Sequence, residues 1–152
     1  MNLATIEPPP MPRFPILKPA LALLTAAALV GCGNVVRDKE TAAKAMDQFH
    51  ARYNAGEYDK IYDTAGTDFQ DSNIRTDFLK RLDAAHRQLG PYKTCDSQGW
   101  KTNSLGGDTR VELRYRTTFA NGQADEEFVY GVSGTRATLR RYRIQSDVLT
   151  TR

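Results

Sequence analysis

The run TRVELRYRTTF, residues Thr109–Phe119, alternates residue by residue. Val111, Leu113, Tyr115 and Phe119 fall on one side, and Glu112, Arg114, Arg116 and Thr118 on the other. A period of two means a strand with one face buried. Asn121-Gly122 follows closely, the pair that favours a two-residue type I′ hairpin turn because both turn positions need positive φ. Such a turn sets Leu113 opposite Tyr130, Tyr115 opposite Phe128 and Arg116 opposite Glu127, so apolar meets apolar and opposite charges meet. The next turn is Gly134-Thr135. A plain continuation would put Arg141 and Arg143 on the apolar face, so a bulge is expected near Leu139–Arg140. With it, Tyr142 and Ile144 return to the core side, and an Arg116–Glu127–Arg143 ladder forms on the other. Upstream, Tyr92–Leu105 reads as a strand broken near Gly99, with Trp100 as its expected core residue and Gly106-Gly107-Asp108 as the following turn.

Before Pro91 the period is helical. Ala42, Met46, Phe49 and Tyr53 share one face of a helix capped by Asp38 or Thr41 and ended by Gly56. Glu57–Ala65 predicts a short second helix carrying Tyr58, Ile61 and Tyr62. The polar stretch 67–73 keeps Phe69 to pack inward. A third helix is expected from about Ile74 to Leu89, with Phe78, Leu82, Ala85 and Leu89 on its apolar face and Gly90-Pro91 as its stop. Three helices and then about four antiparallel strands predict an α+β domain over residues 38–152, its three N-terminal helices packed on one face of a curved sheet.

The whole chain has 152 residues, 26% charged and 40% hydrophobic, which suits one folded domain and excludes wholesale disorder. A net charge of +3 is too small to imply a nucleic-acid partner. The first thirty residues differ in character from the rest. Five of the seven prolines precede Lys18, and Arg13 and Lys18 lead into the apolar run Ala20–Val30. A membrane-crossing helix needs about twenty apolar residues, so this shorter run reads as the core of a secretory signal peptide. Met11 offers a second possible start ahead of Arg13.

The run ends in Leu29-Val30-Gly31-Cys32. This resembles the lipobox of bacterial lipoproteins. The resemblance implies a signal peptide over residues 1–31, cleavage between Gly31 and Cys32, a diacylglyceryl thioether on Cys32, further acylation (palmitate) of the new amine, and a short lipidated tether over 32–37. Only a thiol is nucleophilic enough for that thioether. One acyl chain holds weakly and two or more hold firmly, at about 0.8 kcal/mol per buried methylene. Gly33 stands where an aspartate would signal retention in the inner membrane, so the resemblance favours the outer membrane, with the domain facing the periplasm. The mature chain would carry 19 basic and 17 acidic residues. Cys95 is then without a disulfide partner, and a lone thiol in an oxidising compartment is expected to be buried.

The order of elements also resembles the nuclear transport factor 2-like, or cystatin-like, cone fold. It is similar in particular to small lipoproteins of that superfamily that carry a domain of unknown function. The matching residues are Tyr53-Asn54-Ala55-Gly56-Glu57-Tyr58, Ile61-Tyr62, Phe78, Leu82, Leu89-Gly90, Trp100, the long hairpin and Tyr142-Arg143-Ile144-Gln145-Ser146. The resemblance implies a fold and a location over roughly residues 38–149, and no catalytic residue.

The chemistry-bearing motifs are few. There is no phosphate-binding glycine loop, no metal-ligand spacing of Cys and His, and no nucleophile elbow, so no cofactor or metal is implied. His50 and His86 each follow a core residue on a helix, which places them on the flank as partly exposed structural histidines. Glu126 is the one carboxylate that the strand alternation sets on the apolar face, near Tyr115, Thr117 and Phe128. A carboxyl there is a weak candidate for a catalytic base. Its place four residues beyond Asn121-Gly122 favours an open, wet sheet end instead. Asp63 and Asp68 read as caps or surface groups, and Arg136, Arg140, Arg141 and Arg143 as a solvated face partly neutralised by Asp125 and Glu127. The expectation is a membrane-anchored, non-enzymatic module that meets the bilayer through acylated Cys32 and binds a protein or small-molecule ligand. The alternative is a small isomerase- or hydratase-like enzyme with Glu126 as base.

Overall fold

The computed structural model describes residues 27–150, with side chains described for residues 34–149. The order of elements is α1 (Ala27–Asn54), α2 (Tyr58–Asp63), α3 (Thr67–Ser72), α4 (Arg75–Leu89), β1 (Tyr92–Leu105), β2 (Asp108–Phe119), β3 (Gly122–Ser133), β4 (Arg136–Gln145) and α5 (Asp147–Thr150). It is an α+β arrangement whose four strands form an antiparallel sheet in the order β1-β2-β3-β4. Among the described residues no helix is long and apolar enough to cross a membrane. The signal peptide expected over residues 1–31 falls mostly outside the described residues, and of Gly31 and Cys32 only the helical backbone is described.

Local sequence accounts for most boundaries. Helix α1 begins ahead of Asp38, its backbone running through the stretch expected as a tether, and Thr41 caps nothing: its hydroxyl donates back to the Arg37 carbonyl at 2.9 Å inside the helix. Phe69 packs inward as expected, but on a six-residue helix, α3, that is too short to show a period. Gly90 ends α4 with φ of +76°, which is open to glycine at little cost. The loops Gly106-Gly107 and Gly134-Thr135 close the outer hairpins where expected. On β4, Arg140 is the extra residue between the pairs Val129↔Arg141 and Tyr130↔Leu139, so the expected bulge is present, and Arg143 lies opposite Glu127.

The central hairpin differs from its expected register by two residues. Leu113 faces Phe128, Tyr115 faces Glu126, Arg116 faces Asp125, and Phe119 pairs with Gly122. The turn is therefore Ala120-Asn121, and neither residue has positive φ. Tertiary contact overrides the Asn-Gly preference here. The Ala120 amide donates to the Pro91 carbonyl at 2.9 Å, and the Asn121 amide donates to the Leu89 carbonyl at 2.8 Å. These bonds supply an orphan carbonyl at the end of α4 with a donor. A slip of two leaves every side chain on its expected face. It changes the ion pairs, however: Arg116 pairs with Asp125 at 2.6 Å and Arg141 with Glu127 at 2.7 Å, replacing the Arg116–Glu127 rung.

One core cluster joins Ala42, Met46, Phe49 and Tyr53 of α1 with Phe78, Leu82 and Leu89 of α4 and with alternate strand residues from Val111 to Leu139. On β1, irregularities at Lys93 and Gln98 keep Tyr92, Cys95, Ser97 and Trp100 opposite the buried Phe119, Thr117, Tyr115 and Leu113. Trp100 is nonetheless 41% exposed and is not the core residue expected, because β1 is outermost in the sheet and the side chain has a neighbouring strand on one side only.

The docked turn is testable at Gly90. A Cβ there would sit 2.9 Å from Ala120 Cβ, on a backbone that L residues rarely adopt. Gly90→Ala is expected to lower folding stability by about 2 kcal/mol in urea denaturation. A variant as stable as the parent would show that the hairpin does not seat on the end of α4.

Candidate functional site

Glu126 lies on the apolar face of β3 as expected, but its surroundings are dry. It is 2% exposed, and the wet sheet end read from its sequence position is not found. Three elements each bring it a donor. Thr117, opposite Ala124 on β2, donates to Oε2 at 2.6 Å. Tyr142, returned to this face by the bulge at Arg140, donates to Oε1 at 2.6 Å. His50 Nε2, from α1, lies 2.8 Å from Oε2. With Glu126 accepting, as it does from Thr117 and Tyr142, the pairing is drawn with the His50 proton on Nε2.

His50 corrects a second expectation. It is not a partly exposed flank residue but is itself 2% exposed. Residues adjacent on a helix lie about 100° apart, and a helix that buries a broad stripe takes in both Phe49 and His50. The imidazole stacks on the Tyr92 ring, with centroids 3.9 Å apart and planes 7° apart. Phe49 and Phe128 meet it edge-on at 5.8 and 5.6 Å. Its Nδ1 has no hydrogen-bond partner. The missed signal was the pairing itself: a lone acid on an apolar strand face calls for a buried donor elsewhere, and the sequence holds only two histidines.

The other groups act outward from this cluster. Burial and the adjacent Glu126 charge hold the Tyr142 phenol well above its usual value, so it stays a neutral donor. The Tyr92 hydroxyl donates to Cys95 Sγ at 3.5 Å. Cys95 is a free, partly buried thiol, pushed up by burial despite the lowering effect of that bond. His86 belongs to a separate group: half-buried as expected, its Nδ1 is 2.6 Å from the Tyr58 hydroxyl, and its ring lies 4.7 Å from that of Tyr53. Asp63 pairs with Arg75 at 3.2 Å and Asp68 with Arg140 at 2.9 Å, both as surface groups. Among the described residues no group of three or more His, Cys, Asp or Glu could hold a metal ion.

Tyr142 also faces a cleft of about 270 Å³ between α4 and the end of β4. Phe78, Leu82 and Ile144 give it apolar walls, and Arg81 and Arg143 give it positive charge. The Arg81 guanidinium lies over the Phe78 ring, 6.0 Å from its centroid, and donates to Asn73 Oδ1 at 2.9 Å. The cleft therefore offers an apolar floor and a cationic rim, whereas the Glu126 carboxylate behind it is enclosed on all sides. No protein-family model matches the chain, and no curated protein matches it in sequence.

Proposed function

We propose that this chain is a lipid-anchored module of the bacterial cell envelope. It would face the periplasm, with the outer membrane favoured, and bind a ligand rather than transform one. In this reading residues 1–31 are the lipoprotein signal peptide, Cys32 carries the lipid, and the helices α1–α4 close over one face of a curved sheet in the cystatin-like manner. Leu29-Val30-Gly31-Cys32 at the end of an eleven-residue apolar run, Ala20–Val30, supports the anchor. One observation carries the preference for binding over catalysis: both oxygens of Glu126 are engaged by protein donors, and its side chain is sealed from solvent. A carboxylate so engaged supports packing, and it offers no lone pair that a substrate can reach. The α4–β4 cleft is the natural entry for a ligand, since its apolar walls and paired guanidinium groups suit an amphipathic anion.

The anchor is tested at the sulfur. Wild-type protein expressed in a Gram-negative host should incorporate labelled palmitate and yield a mature N-terminus at a modified Cys32. Cys32→Ser should incorporate none and remain as unprocessed precursor. Mature, membrane-bound Cys32→Ser protein would overturn the proposal.

The unpartnered His50 Nδ1 is the single feature that favours an isomerase- or hydratase-like reading, because it leaves a buried ring nitrogen without a partner beside a carboxyl group. That reading requires His50→Gln to abolish a turnover that the folded parent performs.

A further inference from the structure

Both outer turns of the sheet lie at one end of the domain. Leu105 pairs with Asp108 across Gly106-Gly107, and Ser133 pairs with Arg136 across Gly134-Thr135. The pair Thr109↔Val132 sets these two turns level, while Phe119↔Gly122 puts the Ala120-Asn121 turn at the far end. Helix α1 runs between the two ends. At the far end the Asn54 side chain donates to the Tyr92 carbonyl at 3.0 Å and accepts from the Tyr92 amide at 2.7 Å. At the outer-turn end Arg37, Thr41 and Lys44 share a surface hollow with Thr135 and Arg136. Cys32 lies on the same helix, five residues before Arg37. At 1.5 Å per residue its backbone stands about 8 Å further out.

Two features set this end apart. The first is apolar. Six large hydrophobic side chains are exposed among the described residues, and three of them stand here: Val35 at 38%, Val36 at 52% and Leu105 at 82%, the most exposed of the six. The second is charge. Arg37 is bonded to Asp38 at 3.3 Å and Arg110 to Asp108 at 3.0 Å, so these four cancel in pairs. Lys39, Lys44 and Arg136 pair with no carboxylate among the described residues, and Glu40 is the one acid on this part of α1 left to oppose them. Asp125 and Glu127, further along the sheet, are taken by Arg116 and Arg141. Apolar tips set among uncompensated cations suit the interface of an anionic bilayer, where the tips enter the headgroup layer and the cations meet phosphate.

We propose that the outer-turn end of the domain docks on an anionic phospholipid surface, with Val36 and Leu105 in the headgroup layer and Lys39, Lys44 and Arg136 on the phosphates. The proposal rests on the lipid-anchor reading, which delivers this end to the bilayer. It adds a second contact, made by the folded domain itself. The α4–β4 cleft lies toward the opposite end, where Ile144 and Gln145 pair with Glu126 and Asp125, so docking leaves it open to solvent.

The experiment uses protein purified from the membranes of a Gram-negative host, with the state of Cys32 read first by mass spectrometry. The acylated protein is placed in nanodiscs of phosphatidylcholine, with or without phosphatidylglycerol, that carry a gadolinium-chelating lipid. Relaxation enhancement of backbone amides by the headgroup gadolinium then reports which end meets the surface. In discs containing phosphatidylglycerol, Gly106, Gly107 and Gly134 should be broadened, while Gly56 and Asn121 keep their intensity. Leu105→Gln, at an exposed position, should fold normally and lower the docked-to-free ratio roughly tenfold. Arg136→Gln should lower it about fivefold in anionic discs and leave neutral discs unaffected. Enhancement at the turns that is the same in both lipids and in both variants would mean a tether only, and would overturn the docking while the anchor stands. Equal broadening at the two ends would overturn it as well. An unmodified Cys32 would remove the anchor reading, and this proposal with it.

Discussion

Glu126→Ala should lower folding stability by about 4 kcal/mol. Removing the carboxylate strips the acceptor from Thr117, Tyr142 and His50 at once, and Thr117 and His50 are buried where water does not replace it. A surface ion pair would contribute a fraction of that, because solvent replaces what is lost. Glu126→Gln is the informative companion. Its amide oxygen can still accept from Thr117 and His50, and the Tyr142 hydroxyl can turn to accept from the amide nitrogen. The charge is lost but the pairing is largely kept, so about 2 kcal/mol is expected. Urea denaturation of parent, Gln and Ala variants should therefore give a graded series. An Ala variant within about 1 kcal/mol of the parent would mean that the cluster opens to water and that the carboxylate is free for chemistry after all.

Phe128→Ala is expected to cost a similar amount, about 4 kcal/mol, by a different route. Phe128 is fully buried and packs against the rings of His50 and Tyr142, both bonded to Glu126, and of Phe49. Its centroid lies 5.1 Å from Phe49, 5.0 Å from Tyr142 and 5.6 Å from His50. Truncation leaves a cavity beneath the imidazole, so part of the loss should appear as slackening of the His50–Glu126 contact. The double variant with Glu126→Gln would then destabilise by less than the two single effects added together. Strict additivity would show the aromatic frame and the polar cluster to be independent. Phe128→Leu, which keeps most of the volume, should cost about 1 kcal/mol.

Where the sequence was readable, periodicity made it so. The alternation of Thr109–Phe119 sets the faces of the central strands, and the otherwise misplaced arginines at 141 and 143 imply a bulge near Leu139–Arg140, which falls at Arg140. The register went wrong by two residues because Asn121-Gly122 is a local signal, whereas the amides of Ala120 and Asn121 answer to carbonyls at the end of a distant helix. Glu126 was placed on its correct face by the same alternation. Its partners were not legible in the same way. Thr117 stood nearby on the neighbouring strand, but His50 is 76 positions away, and a hydrogen bond across that separation leaves no local pattern. Trp100 misled for the converse reason: its face was right, but exposure depends on where a strand stands in the sheet, which residue type does not reveal.

An open sheet has two unpaired margins, and each is an invitation to a second copy of the chain. On β4 the margin is interrupted by the α2–α3 connection, where the Gly66 amide donates to the Leu139 carbonyl at 2.8 Å. On β1 the irregularities at Lys93 and Gln98 divide a fourteen-residue strand into short pieces, and charged Lys93 and Lys101 stand along it. Both margins are thereby blunted against strand-by-strand polymerisation. That protection matters most for a protein held at high local density on a surface, where neighbours meet repeatedly in the same orientation.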